Sequence, residues 1–116
     1  MIMISLERII EITNASVYTG SLQGKYVKFA FGSDLMSDVL TLGDKIPLLI
    51  TGLANPQSIR TAEMIDIEVV LIARGKEIDS EMIHLAHESG IVLLSSSYSV
   101  FKICGILYAN GVEAIY

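Results

Sequence analysis

The sequence predicts an α/β domain of three layers, in which a mainly parallel β-sheet is flanked by helices. From residue 46 onward, apolar segments of strand length alternate with amphipathic segments of helical period, and the links between them are short. Residues 46–56 lead from an unbroken apolar run into a glycine turn and a helix start, which is typical of a strand buried on both faces. This alternation predicts parallel strands joined by right-handed crossovers.

Four elements are expected before this segment. Ser5 is placed to cap a helix over residues 6–13, and a strand over residues 15–19 follows. In a second strand, over residues 26–31, apolar and polar residues alternate, which favours a position nearer the edge of the sheet. Ser33 or Asp34 is then expected to cap a short helix over residues 35–42, which Gly43 ends.

Asn55 followed by Pro56 predicts the start of the next helix, which should run to about residue 64. The asparagine side chain can accept a hydrogen bond from a first-turn amide, and proline suits the first helical position. The remaining predicted elements are a strand over residues 68–73, a helix over residues 80–89 capped by Asp79, a strand over residues 91–94, a last helix that Gly111 ends, and a tail or short added strand over residues 112–116.

The composition is apolar, with a hydrophobic share of 52% and a mean hydropathy of +0.56. The apolar runs are too short or too interrupted to span a membrane, so no membrane contact is expected. We attribute the excess to strands covered on both faces and to a subunit interface, and we expect a two-fold homodimer. The net charge of −5 argues against nucleic acid as a partner.

The chain of 116 residues has the length of one domain and contains no linker or repeat, so we expect a single domain over residues 1–116. Its first residues lack the basic region of a signal peptide. The single cysteine, Cys104, cannot form an internal disulfide. We therefore expect a cytoplasmic protein.

Polar residues and glycines follow four of the predicted strands, at the edge where the carboxyl ends of parallel strands meet. Helix amides point toward the same edge, which favours an anionic ligand such as a nucleotide or a phosphorylated metabolite. The alternative is that these residues form only caps, turns or a protein interface, because the sequence lacks a Walker lysine and a full dinucleotide fingerprint. The candidate ligand-binding residues are Gly32, Ser33, Asp34, Thr51, Gly52, Asn55, Arg74, Gly75, Ser95, Ser96 and Ser97, with Lys76 directly after Gly75.

The sequence offers no complete catalytic or metal-binding set. His84 and His87 lie three residues apart on one helix, but no third ligand joins them, and a solvated face explains them better. Asp34 and Asp38 have the spacing of paired carboxylates, but capping by the first and exposure of the second explain them better. We expect no enzyme activity, no metal and no cofactor.

Three segments of the chain resemble the DRTGG domain family. They are residues 31–40, which include the run Ser-Asp-Leu-Met-Ser-Asp-Val-Leu, residues 49–52 and residues 70–75; the resemblance extends over residues 6–109. It implies a fold similar to the amino-terminal domain of HPr kinase/phosphorylase. It also implies a regulatory module that accompanies other domains, such as the CBS pairs of some inorganic pyrophosphatases, and no catalytic activity.

The sequence departs from the family at the residues that name it. Where the family has Asp-Arg after the Thr-Gly turn, this chain has Ala54 and Asn55. Where the family has Thr-Gly-Gly after the next strand, this chain has Ala73, Arg74 and Gly75, so only the last glycine is kept. Our hypothesis is that Arg74 supplies the positive charge from the neighbouring loop.

These observations lead to three hypotheses about function. The first is a non-catalytic regulatory or ligand-sensing module, a homodimer that acts on a signalling or enzyme partner protein in trans. The second is a pure protein–protein interaction subunit without a small-molecule ligand. The third, a small enzyme, needs a nucleophile or an acid/base pair with an orienting neighbour, and the sequence displays neither.

Overall fold

Strands and helices alternate along the chain as predicted, in a computed structural model that describes residues 3–116. The predicted domain limits, residues 1–116, also include Met1 and Ile2, which lie outside the described residues. The elements in chain order are β1 (Ile4–Ser5), α1 (Leu6–Thr13), β2 (Ala15–Thr19), β3 (Tyr26–Val27), β4 (Phe29–Gly32), α2 (Met36–Val39), β5 (Leu48–Thr51), α3 (Pro56–Met64), β6 (Val69–Ile72), α4 (Ser80–Ser89), β7 (Val92–Ser96), α5 (Val100–Ala109) and β8 (Glu113–Ala114).

Six strands form the main sheet, in the order β2-β7-β6-β5-β4-β8, and β1 pairs with β3 in a separate two-stranded sheet. Strands β4 to β7 are parallel neighbours, and β8 joins β4 in parallel, whereas β2 runs antiparallel to β7. This arrangement confirms the predicted three-layer α/β fold with a mainly parallel sheet. Residues 112–116, predicted as either a tail or an added strand, include the short strand β8.

Helices cover both faces of the main sheet. Helices α1 and α5 pack with Leu48 and Ile50 on one face, whereas α2, α3 and α4 pack with Leu49 and Val70 on the other. Because successive side chains of a strand point to opposite faces, β5 and β6 are buried along their whole length. This is the double burial that the apolar run predicts, although its first residue, Ile46, precedes the strand and is exposed.

Three helices begin at the predicted caps Ser5, Asn55 and Asp79, and α5 begins after Ser99. The side chains of Ser5, Asn55, Asp79 and Ser99 accept hydrogen bonds from first-turn amides of α1, α3, α4 and α5. These bonds satisfy N–H groups that have no partner inside the helix, so each helix starts at a defined residue. Of the helices within residues 3–116, none has the length and hydropathy that crossing a membrane requires.

The prediction of one strand over residues 26–31 is wrong. Strand β3 pairs antiparallel with β1, so that Tyr26 lies opposite Ser5, whereas β4 pairs with β5 in the main sheet. Lys28 separates the two strands, and its carbonyl oxygen accepts a hydrogen bond from the amide of Glu113. The alternation of apolar and polar residues continues through both strands, so it does not report this change of sheet.

Two further boundaries differ from the prediction. The helix expected over residues 35–42 is reduced to α2, and Leu35 holds the N-cap position without a side-chain hydrogen bond, so Asp34 does not cap this helix. Strand β7 continues to Ser96, two residues beyond its predicted end. It does so because the antiparallel strand β2 extends the pairing, with Ala15 opposite Ser96.

The turn after β2 gives a test of this packing. Gly20 has φ +94°, and a Cβ there would lie 2.6 Å from Val92 Cγ2 and 2.8 Å from Val92 Cα. We expect Gly20→Ala to lower the free energy of unfolding by roughly 2–4 kcal/mol, because it strains its own backbone and displaces β7. Gly24→Ala is the control, since φ is +74° but a Cβ would meet nothing within 4 Å. Urea unfolding followed by circular dichroism measures the free energy of unfolding of both variants. An equal decrease in the two variants would contradict the close approach of Gly20 to Val92.

Candidate functional site

The carboxyl ends of β4, β5, β6 and β7 meet at one edge of the main sheet. The strand register pairs Gly32 with Ile50. It also pairs Thr51 with Ile72, and Ile72 with Ser95. The loops that follow these strands therefore start side by side, and they contain most of the residues that the sequence singles out.

Asp34 connects two of these loops. Its Oδ1 accepts hydrogen bonds from the backbone N–H of Gly52 at 2.6 Å and from Thr51 Oγ1 at 3.0 Å. Thr51 is buried, and its hydroxyl oxygen accepts in turn from the amide of Leu53 at 3.1 Å. Asp34 is therefore not the helix cap that the sequence predicts, because a buried amide after β5 offers the carboxylate a charge-assisted bond across the edge. Ser33 Oγ accepts instead from the amide of Leu35.

A third loop reaches the same turn through Lys76. Its Nζ donates a hydrogen bond to the carbonyl oxygen of Gly52. A Cβ at Gly52 would lie 3.2 Å from Asp34 Oδ2 and 3.6 Å from Lys76 Nζ, so a larger residue would crowd both side chains. The loops after β4, β5 and β6 thus converge on Gly52. The position of Lys76 directly after Gly75 is the one signal in the sequence that includes it in the site.

The turn of Arg74 and Gly75 contacts the segment between β7 and α5. Both residues have positive φ, 71° and 62°. The amide of Arg74 donates to the carbonyl oxygen of Tyr98 at 2.7 Å, and the amide of Gly75 donates to that of Ser96 at 2.8 Å. The side chain of Arg74 is exposed. The edge therefore has a basic side chain on a turn that is fixed by its backbone.

The three serines have different environments. Ser96 is buried, and its hydroxyl donates to the carbonyl oxygen of Thr13 at 2.6 Å and accepts from the amide of Tyr98 at 3.1 Å. Ser95 is half-buried within β7, whereas Ser97 is exposed and lies close to Gly75. Ser96 thus connects β7 to the end of α1, and Ser97 is the serine at the open edge.

Backbone amides at this edge donate hydrogen bonds within the chain, as the amides of Gly52, Arg74 and Gly75 do. At the start of α3, Asn55 Oδ1 accepts from the amide of Gln57 at 3.0 Å. The sequence suggests helix amides that face a ligand, but the amide of Gln57 is engaged within the chain, as are the three loop amides. These four amides are therefore not free to bind an anion, whereas the side chain of Arg74 is exposed.

Within residues 3–116, no group of three histidine, cysteine or acidic side chains is arranged to hold a metal ion. His84 Nε2 lies 3.9 Å from Glu88 Oε1, and both side chains are exposed on α4. This geometry agrees with a solvated helix face.

A second surface feature is an apolar groove beside α5, with a cavity volume of about 380 Å³. Its floor includes Ala30, Gly32 and Ala114, and its wall includes Phe101, Gly105 and Tyr108. We call this feature the α5 groove. The sequence did not single out Phe101 as a functional residue. The signal for Phe101 was a second apolar stripe on α5, offset from the stripe that faces the core.

Cys104 also lines the α5 groove and has a free thiol. Burial raises the pKa of the Cys104 thiol above its ordinary value, because desolvation disfavours the thiolate. The thiol is therefore protonated at neutral pH and behaves as a small apolar side chain.

No protein-family model matches the sequence, and no curated protein matches it. The structure is similar to the crystal structure of the CBS and DRTGG domains of the regulatory region of Clostridium perfringens pyrophosphatase, in complex with the activator diadenosine tetraphosphate. The TM-score is 0.73 at 15% sequence identity, and the match covers 89% of this chain and 45% of that one. This chain has a DRTGG-like fold. The resemblance expected from the sequence is thereby confirmed at the level of the fold, and the DRTGG-like domain described here spans less than half of the matched pyrophosphatase chain.

The hydrogen bonds of Asp34 can be tested by substitution. We expect Asp34→Ala to lower the free energy of unfolding by about 1–3 kcal/mol, because it leaves the buried amide of Gly52 without an acceptor. Asp34→Asn keeps an acceptor oxygen and should lose less. Asp38→Ala, at an exposed position four residues later, should change stability by less than about 0.5 kcal/mol. Chemical denaturation measures the free energy of unfolding of the three variants. Equal stability of the two alanine variants would show that the hydrogen bonds accepted by Asp34 do not stabilise the fold.

Proposed function

We propose that this protein is a non-catalytic regulatory module that senses a nucleotide or a phosphorylated metabolite, and that it acts as a homodimer on a partner protein in trans. The proposal rests mainly on the convergence of three loops on Gly52, where Arg74 and Lys76 bring two basic side chains to one edge of the sheet. The candidate ligand-binding residues predicted from the sequence lie at the ends of these strands or in the loops that follow them.

The chemistry of the two basic side chains suits phosphate. The guanidinium of Arg74 is exposed and makes no ion pair within residues 3–116, and its planar set of donors matches phosphate oxygens. Lys76 uses one donor for the carbonyl oxygen of Gly52, and an ammonium group has three. Because the Asp34 carboxylate occupies the amide of Gly52 and repels anions, we place the phosphate on the side of Arg74 and Lys76.

The similar structure supports a nucleotide as the first ligand class to test. The regulatory region of the Clostridium perfringens pyrophosphatase is complexed with the activator diadenosine tetraphosphate. The two structures share a fold over 89% of this chain. The Asp-Arg pair that names the family is replaced here by Ala54 and Asn55. We therefore propose a nucleotide ligand whose phosphates contact Arg74 in place of the family's own arginine.

A second candidate function is a pure protein–protein interaction subunit without a small-molecule ligand. The α5 groove favours this alternative, because contiguous exposed apolar surface often marks a protein interface. The two functions differ in whether the carboxyl edge binds a ligand at all.

Thermal unfolding with a panel of nucleotides and phosphorylated metabolites, including ATP and diadenosine tetraphosphate, tests the proposal. A ligand that binds only the folded chain at 100 times its Kd should raise the free energy of unfolding by about 2.7 kcal/mol, which appears as a higher Tm. Arg74→Gln should abolish most of this shift, because it removes the exposed guanidinium.

Arg60→Gln is the matched control, since Arg60 is also exposed but its guanidinium pairs with Glu81 at 3.2 Å, between α3 and α4. This variant should keep the full ligand-induced rise in Tm. A panel without any shift would contradict ligand sensing and favour the interaction subunit. An unchanged shift in Arg74→Gln would contradict the placement of the phosphate at Arg74.

A further inference from the structure

Helix α5 is apolar on more than the side that faces the core. Ile103 and Leu107 are buried against the sheet, while Phe101 is 88% exposed and Tyr108 is 73% exposed. Lys102 is the one charged residue of the helix. A helix that is apolar on several sides is normally buried on several sides, whereas nothing within residues 3–116 covers the outer side of α5.

The strands beside α5 present a matching strip of small residues. Ala30 of β4 lies opposite Ala114 of β8, and Gly32 follows on the same face. These residues form the floor of the α5 groove, where a helix usually covers a parallel sheet. The groove is therefore bounded by a helix on one side and by a flat floor below, and it has room for large side chains.

Gly105 lies in the middle of α5 and faces this groove. A Cβ at this position would meet nothing within 4 Å, so packing inside the chain does not require glycine. Glycine is also one of the poorest residues for a helix interior. A close approach by another helix accounts for a glycine here, because the absence of a side chain lets two helix backbones come near each other.

We propose that the α5 groove is the homodimer interface, with α5 of a second copy lying antiparallel on α5 and its aromatic side chains filling the groove. This inference rests on the homodimer of the proposed function and names its interface. A two-fold interface must be self-complementary, and here the protruding aromatic residues and the groove lie on the same surface.

The spacing of the two aromatic residues fits this arrangement. Phe101 and Tyr108 are seven residues apart, which is about 10 Å along the helix axis. The midpoint between them falls beside Gly105, where an antiparallel partner can cross most closely. With the two-fold axis at this point, Phe101 of each copy lies opposite Tyr108 of the other, which forms two aromatic pairs.

The charges of the surface are compatible with self-association. The charged residue of α5, Lys102, is positive, and its Nζ lies 3.7 Å from the centroid of the Tyr98 ring. Among the groove-lining residues of the described chain, the charged one is Glu113, which is negative. A second copy of α5 therefore brings opposite charges toward each other at the rim of an apolar contact.

Sedimentation equilibrium of the full chain over a range of concentrations tests the interface. We expect the wild-type chain to be a dimer and Phe101→Glu to raise the dimer Kd by at least about 30-fold, because each dimer then loses two buried anchors and gains two charges. Met64→Glu is the matched control, since Met64 is 71% exposed on α3, on the opposite face of the sheet, and this variant should dimerise normally. Circular dichroism of the variants confirms that each one is folded.

Cross-linking through the native thiol gives a second measurement that leaves the interface unchanged. Cys104 is the only cysteine of the chain, lines the α5 groove and lies next to Gly105, near the proposed two-fold axis, so a short bis-maleimide should link two copies. Met64→Cys in a Cys104→Ala background should remain unlinked.

A dimer that forms equally well with Phe101→Glu, or that cross-links as readily through Met64→Cys, would overturn the proposed interface and leave the dimer itself in place. A chain that stays monomeric but responds to a nucleotide in thermal unfolding would overturn the interface without removing ligand sensing. A dimer sensitive to Phe101→Glu that shows no ligand response would contradict only the ligand part of the proposed function.

Discussion

Double burial of β5 and β6 is the constraint on which the rest of this structure depends. Strands without a polar face must be covered on both sides, so the chain places α1 and α5 on one face of the sheet and α2, α3 and α4 on the other. Each helix must then start close to the end of a strand, which brings polar loops to one edge. The small-residue strip of β4 and β8 lies beside α5, on the surface where we propose that a second copy binds.

The carboxyl edge and α5 share one segment of chain. The backbone amide of Arg74 donates a hydrogen bond to the carbonyl oxygen of Tyr98. Ser99, which follows Tyr98 in the chain, caps α5. Gly75 bonds to Ser96 in the same segment. A ligand that contacts the Arg74 side chain would therefore act on the turn that positions the start of α5. This gives a regulatory module a physical connection between ligand binding at the edge and the proposed dimer surface.

The parts of the structure that depend on local chemistry could be predicted from the sequence. Asn55 and Pro56 determine the start of α3 through a side-chain bond two residues away, and Gly90 adopts the positive φ of 70° that ends α4. The role of Asp34 could not be predicted, because its acceptor bond reaches Gly52, eighteen residues away and in another loop. Its position just before a helix predicted a role as helix cap. In the folded chain its carboxylate instead accepts a hydrogen bond from the buried amide of Gly52.

Amide chemical-shift mapping of the ¹⁵N-labelled chain during a titration with ATP tests whether the carboxyl edge binds a phosphorylated ligand. We expect saturable shift changes at Gly52, Arg74, Gly75 and Lys76 that continue to Tyr98, just before α5. Changes limited to the α5 groove, or a spectrum unchanged by the nucleotides and phosphorylated metabolites of the panel, would contradict this expectation.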